Sequence, residues 1–148
     1  MVDVSEKPVT LRSSRARGKV QMLPATLNLI QDRQIQKGDV LELARIAGIM
    51  ASKKTADLIP LCHPLRLDSV DISFRFPNDH TIEIESTVTG HDRTGVEMEA
   101  MHAVSVAALT IYDMCKSVDR GMTIDAIQLM EKSGGKSGHF KRDVSSSE

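Results

Sequence analysis

The chain of 148 residues has no tryptophan, one tyrosine and three phenylalanines, so aromatic side chains make up only 3% of it. A surface that holds single strands by stacking bases needs more platforms than that. Neither sign of charge is in excess. Lys plus Arg is 19 against 20 for Asp plus Glu, a net charge of -1, which argues against a generic nucleic-acid binder. An anionic ligand must then be met by a local cluster of cations. There are two cysteines, Cys62 and Cys115, with no C-x-x-C and no pair of histidines at metal-ligand spacing. Two thiols in a reducing compartment are expected, not a disulfide or a metal cage. No apolar run approaches the roughly 20 residues needed to span a membrane. The start, Met1-Val-Asp-Val-Ser-Glu6, has neither a signal-peptide core nor the acid-poor character of a transit peptide. A soluble, cytoplasmic protein is expected, with no membrane or nucleic-acid partner.

What is present is enough for one domain. A chain of this length buries roughly two-thirds of the surface it exposes when unfolded. Residues 1–17 are polar, cluster Arg12, Arg15 and Arg17, and read as an N-terminal arm. A single α+β domain is expected over 18–140 and a disordered Ser-rich tail over 141–148. Lys19 to Leu23 alternates as a short strand, and Pro24 suits the first turn of a helix reaching about Arg33. Asp39 can cap a second helix, whose apolar positions Val40, Leu43, Ala44, Ala47, Met50 and Ala51 repeat at helical spacing. Val70, Ile72, Phe74 and Phe76 alternate as a half-buried strand, which turns at Pro77-Asn-Asp79 into a partner carrying Ile82, Ile84 and Val88. Thr94-Gly-Val-Glu97 has the form of a capping box opening a long helix. Met122 to Met130 reads as a last strand, and Ser133 to Gly138 as a flexible loop. The order predicts a ferredoxin-like split βαβ fold: a four-stranded antiparallel sheet with its helices on one face.

The long helix carries the strongest signal. From Ala100 to Tyr112 it runs thirteen residues without a carboxylate, Lys or Arg. Val96, Ala100, Ala103, Ala107, Ile111, Met114 and Val118 form one stripe, yet Val106, Leu109 and Tyr112 leave the opposite side apolar too. A helix apolar all round must be covered on more than one side, so the chain is expected to oligomerise. Glu99 near its start and Asp113 near its end lie about 21 Å apart along the axis. One small ligand touching both would need two chains.

Several residues have the chemistry for a site, each against a blander reading. Asp113 and Lys116 share a helical face at i and i+3, either as a surface ion pair or as an acid/base couple. His63 stands in an apolar segment stiffened by Pro60 and Pro64, either as a satisfied core residue or as a side chain presented to a pocket. Lys37 precedes a helix N-terminus, where a cation gains nothing from the dipole; binding an anion there would explain it. Lys53 and Lys54 are adequately explained as cations at a helix C-terminus. Lys132, Lys136 and Lys141 flank the glycine-rich loop. It is not a Walker A loop, because Met130 stands where glycine is required, but it can serve as a basic flap over phosphates. Glu97 is explained as the capping-box acceptor.

Taken together the segments resemble the MoaC family of molybdenum cofactor biosynthesis. The resemblance rests on Met1-Val-Asp-Val-Ser5, Lys37-Gly-Asp-Val40, Ala47-Gly-Ile49, Leu58-Ile-Pro-Leu-Cys-His-Pro-Leu65, Gly95-Val-Glu-Met-Glu-Ala100, Val104 through Lys116, and Lys132-Ser-Gly-Gly-Lys-Ser-Gly138. It implies a cyclic pyranopterin monophosphate synthase that rearranges 3′,8-cyclo-7,8-dihydroguanosine 5′-triphosphate and releases pyrophosphate. It also implies hexamers, built as trimers of dimers, with sites at subunit contacts. By family match Asp113 is the catalytic acid/base and Lys116 its partner. Leu61, Cys62, His63, Met98 and Glu99 line the substrate site, with Glu97 and Lys53 beside them. Lys37, Lys132, Lys136 and Arg12 meet the triphosphate or assist proton transfer. No dedicated metal site is implied; magnesium can ride on the triphosphate. His102 and the segment Asp68–Arg93 depart from the family pattern. The alternatives are a non-catalytic ferredoxin-like module that binds a small ligand, and an RNA-recognition domain, disfavoured because the strand Val70–Phe76 lacks the aromatic pattern.

Overall fold

The computed structural model describes residues 1–144. Among the described residues, five strands and four helices follow in the order β1 (Thr10–Gln21), α1 (Pro24–Gln31), α2 (Val40–Ser52), α3 (Thr55–Leu58), β2 (Ser69–Asn78), β3 (Thr81–Asp92), α4 (Glu97–Cys115), β4 (Thr123–Ser133) and β5 (Phe140–Lys141). The strands form one open antiparallel sheet in the order β2-β3-β1-β4-β5. This is an α+β fold with five strands where four were expected.

The largest correction concerns the expected arm over residues 1–17. From Thr10 onward it is the central strand, paired with β3 on one side and β4 on the other. Its two faces explain both the structure and the misreading. Arg12, Ser14, Ala16, Gly18 and Val20 turn inward and are buried. Small residues are needed there because α4 crosses directly above: a Cβ on Gly18 would stand 2.6 Å from Val104 Cγ1. On the other face Arg15 meets Glu85 and Glu131, both at 3.1 Å, while Arg17 meets Glu85 at 2.9 Å. The arginines of the supposed arm are thus the cationic half of a cross-strand ladder. The tail differs too, since Lys141 pairs with Glu131 in β5 and the Arg142 amide donates to Met130 O at 2.8 Å. Residues 145–148 of that tail lie outside the described residues.

The helices cover the other face of the sheet from these ion pairs. Ser86 of β3 donates to Ala100 O of α4 at 2.7 Å. Helix α2 lies against α4 through small residues, and a Cβ on Gly48 would overlap Ile72 and come 2.8 Å from Ala103 O. The core is built from Leu27, Ile72, Ile82, Ile84, Val88, Val104 and Ile111, each about 1% exposed or less. Each such side chain contributes about 1.5–3 kcal/mol by leaving water. As expected, Asp39 caps α2, accepting from the Glu42 amide at 3.1 Å. The start of α1 has no side-chain cap of its own; buried Asp119 supplies one by accepting from the Leu23 amide and Thr26 Oγ1 at 2.9 and 3.1 Å.

Not all of the apolar surface finds a cover within the chain. Leu43, Ile46 and Met50 of α2, Leu58 of α3 and Leu109 of α4 are 45–65% exposed. Ala47, Met50, Leu58, His102 and Val106 line a groove of about 340 Å³ between them. Val118, expected on one apolar stripe of the long helix, lies beyond its end and is 52% exposed. No helix of the described residues is long and apolar enough to cross a membrane.

Candidate active site

The residues expected to carry chemistry fall into two groups, one at each end of α4. At the N-terminal end, Glu97, Met98 and Glu99 meet the segment Leu61–Cys62–His63 in a cleft of about 320 Å³. The stiff Pro60–Pro64 stretch does present His63 to a pocket, as one of its two readings required. A second cleft of about 210 Å³ adjoins the first and shares Lys7, Thr94, Gly95 and Glu97 with it. Arg12, Arg93, Lys132 and Gly134, with three serines, line its remainder.

Glu97 stands between the two clefts, and it is not the capping acceptor. The helix starts after Val96 with no side-chain cap, and Glu97 Oε1 instead accepts from Lys132 Nζ at 2.6 Å. To reach Lys132 the Glu97 side chain folds back over Gly95, where any Cβ would overlap it. Gly95, lacking a side chain, leaves room for the ion pair. Lys132 is the penultimate residue of β4, so the pair joins the strand end that leads into the glycine-rich loop to the start of α4.

Glu99 is the unusual group here. It is 4% exposed, and its carboxyl is held at about 7, first by burial, with the nearby charges of Glu97 and Asp92 adding to the shift. A carboxyl poised near neutrality is suited to proton transfer. Burial, and then Glu99, push the Cys62 thiol up as well. Cys62 is thus a neutral neighbour, not a thiolate nucleophile.

At the C-terminal end of α4, Asp113 sits between two ammonium groups. Lys116 Nζ stands 2.7 Å from its Oδ1, and Lys37 Nζ stands 3.1 Å from Oδ2 and 2.8 Å from its backbone carbonyl. Lys37 therefore turns to α4, not to an anion at the start of α2. Gly38, at φ +118°, lets the chain leave Lys37 and enter the α2 cap. Hydrogen bonds from Lys116 and then Lys37 hold the Asp113 carboxyl below its ordinary range, and Asp113 raises Lys116 in return. All three side chains are about half exposed. A lone i,i+3 pair on a surface would be unremarkable, but a third partner from another element converging on the same carboxylate is not required by helix surface chemistry. Beneath them Cys115 is buried and its thiol is pushed up to about 11.

The two groups do not meet within the chain, in line with the spacing argument. Lys53 is exposed at the C-cap of α2, lines neither cleft, and retains its helix-terminus explanation. Lys136 is exposed in the glycine-rich loop. Arg12, expected to face phosphates, is 8% exposed and donates to three backbone carbonyls. Sequence reasoning missed Lys7, Arg93 and the contributions of Val2 and Val4 to the cleft wall. Lys7 sits in a polar stretch with no periodicity to mark it, whereas Arg93 had one available signal in its place just before a helix start. Among the described residues no group of three His, Cys, Asp or Glu is arranged to hold a metal ion.

Comparison with known proteins places this geometry in a family. The chain is 59% identical over 144 residues to the cyclic pyranopterin monophosphate synthase of Thermomicrobium roseum, covering 97% of this chain and 87% of that protein. It is 60% identical over 145 residues to cyclic pyranopterin monophosphate synthase 1 of Mycobacterium tuberculosis, covering 98% and 85%. It is 58% identical over 142 residues to the cyclic pyranopterin monophosphate synthase of Parvibaculum lavamentivorans, covering 95% and 89%. The model of the MoaC family matches residues 1–135, which takes in both ends of α4 and all the strands but β5. The chain belongs to the MoaC family.

Proposed function

We propose that the protein is an enzyme of molybdenum cofactor biosynthesis, a cyclic pyranopterin monophosphate synthase. It converts 3′,8-cyclo-7,8-dihydroguanosine 5′-triphosphate into cyclic pyranopterin monophosphate and pyrophosphate. The observation that carries this reading is the near-full-length identity to synthases of that name, joined to a chain that holds an acid at one end of α4 and a base at the other. In class it is a phosphorus–oxygen lyase, built on a ferredoxin-like core of β1 to β4 and working in the cytoplasm.

In this reading the cleft of Lys7, Arg93 and Lys132 takes the triphosphate, and Lys136 closes over it from the loop. Lys132 exchanges Glu97 for a phosphate oxygen. Cations placed where pyrophosphate departs stabilise the charge that develops as a sugar hydroxyl attacks the α-phosphorus. Any magnesium ion enters bound to the triphosphate. The ring system lies against Leu61, Cys62 and Met98, with His63 and Glu99 in reach of its nitrogens and oxygens. Glu99, protonated near neutral pH, gives a proton, while Asp113, ionised between Lys37 and Lys116, accepts one. Such positioned groups each accelerate a transfer by roughly 10²–10⁴.

The two ends of α4 close one site only when two copies come together. The uncovered apolar surface of α2, α3 and α4 supports assembly, and a hexamer made as a trimer of dimers is the form proposed. The test is to supply the cyclic dihydroguanosine triphosphate and follow pyrophosphate release with pterin formation. Release of pyrophosphate by the wild-type protein and its loss in Asp113→Asn with substrate still bound support the reading. Binding without turnover by the wild-type protein would identify a ligand-binding module instead.

A further inference from the structure

Arg12 projects from the helix-facing side of β1 and is 8% exposed. Among the described residues no carboxylate pairs with it; the guanidinium is spent on backbone carbonyls. Its Nε donates to Asp92 O at 3.3 Å, its Nη2 to Arg93 O at 3.1 Å, and its Nη1 to Gly134 O at 3.3 Å. The first acceptor is the last residue of β3, the second opens its connection to α4, and the third lies in the glycine-rich loop after β4. Arg93 and Thr94 from the one segment and Ser133, Gly134 and Ser137 from the other line the cleft that contains Lys132.

The loop is shaped around this group. Gly134 and Gly135 have φ of +100° and +74°. A Cβ on Gly135 would overlap the Arg12 guanidinium, and one on Gly134 would overlap Leu11 O. The two glycines thus allow the backbone to wrap a buried cation that has no anion beside it. A guanidinium suits this place because its donors are fixed in a planar fork that can reach two chain segments at once; an ammonium is a single point on a flexible stem.

We propose that Arg12 is a positioning residue, which ties these two cleft-lining segments together and so holds the loop of Lys132 at its working distance, in place of pairing with the ligand's phosphates. The consequence for turnover rests on the phosphate reading of the cleft given above. The clamp itself does not.

Hydrogen exchange on the ligand-free wild type and on Arg12→Lys, Arg12→Ala and Gly135→Ala reads the clamp directly. Inorganic pyrophosphate titrated into the same samples reads the cleft. Losing charge-assisted hydrogen bonds should speed exchange across residues 132–138 about tenfold in both Arg12 variants, with α4 exchanging as in the wild type. Pyrophosphate affinity and KM should each worsen about tenfold in Arg12→Lys, with a smaller change in kcat. Gly135→Ala should do the same although it removes no charge, because its methyl displaces the guanidinium. Unchanged loop exchange in Arg12→Ala, or wild-type exchange and affinity in Arg12→Lys, overturns the proposal. So does Gly135→Ala with a wild-type loop, the arm that decides if Arg12→Ala loses protection in α4 and is unfolded. If the wild type takes no pyrophosphate the phosphate reading falls, while the exchange rates still judge the clamp.

Discussion

The two ends of α4 set carboxylates in opposite surroundings. Glu99, in the first turn, is buried to 4% exposure near Glu97 and Asp92, and its carboxyl is held at about 7. Asp113, in the last turn, is about half exposed between two ammonium groups and held below its ordinary range. Desolvation dominates at one end and opposite charge at the other. One helix therefore carries a carboxyl that stays largely protonated below about pH 7 and another that is ionised there, with no difference in side-chain chemistry beyond one methylene. Exposure also separates them: the buried end lines a cleft, and the exposed end presents its charges outward.

The largest effect expected from breaking this contrast is at the exposed end. Lys116→Ala should lower turnover by about 10²–10⁴ while melting as the wild type does, since half-exposed pairs add little stability. Normal product formation by that variant would show that the pair is only surface chemistry. Glu99→Gln should cost about 10²-fold in rate near pH 6 and remove the decline in activity as pH rises through about 7. The same variant sharpens the comparison through stability. The folded-state value of Glu99 lies above its ordinary value of 4.5, so the folded state binds that proton more tightly. Its stabilising contribution is full below about 4.5 and is lost as pH rises to about 7. Glu99→Gln should thus approach the wild type in stability at low pH and exceed it by up to about 3 kcal/mol above pH 7. Denaturant melts at pH 5 and pH 8 check this. For Asp113 the sign is reversed: its contribution is present above the ordinary carboxylate range and lost below it. The smallest effect is in the loop, where Lys136→Ala should weaken pyrophosphate binding severalfold and leave kcat nearly unchanged. A slowed rate at unchanged affinity would deny it a phosphate role.

How far the chain could be read in advance depended on which signal each element carried. The β2–β3 hairpin and α4 were legible because apolar residues set their periods. Strand β1 was not, because its inward face uses Ser14, Ala16 and Gly18 to admit α4, and its outward face uses Arg15 and Arg17 for partners on β3 and β4. Alternation of small with charged residues has little hydropathy contrast, so the strand reads as a polar arm. The capping box failed for a related reason: Thr94 and Glu97 have the right spacing, but Lys132, distant in sequence, competes for the carboxylate and wins. At the site, His63, Asp113 and Lys116 stood out through local context. Lys7 and the carbonyl partners of Arg12 exist only once distant segments meet.

Mixing two inactive variants tests most directly whether the halves of α4 belong to different copies in one site. His63→Ala disables the N-terminal end and Lys116→Ala the C-terminal end. Unfolded together and refolded as a mixture, they should regain activity at up to about a quarter of the sites, those in which one copy supplies an intact cleft and its partner an intact Asp113–Lys116 couple. A mixture no more active than its two parents would contradict the account.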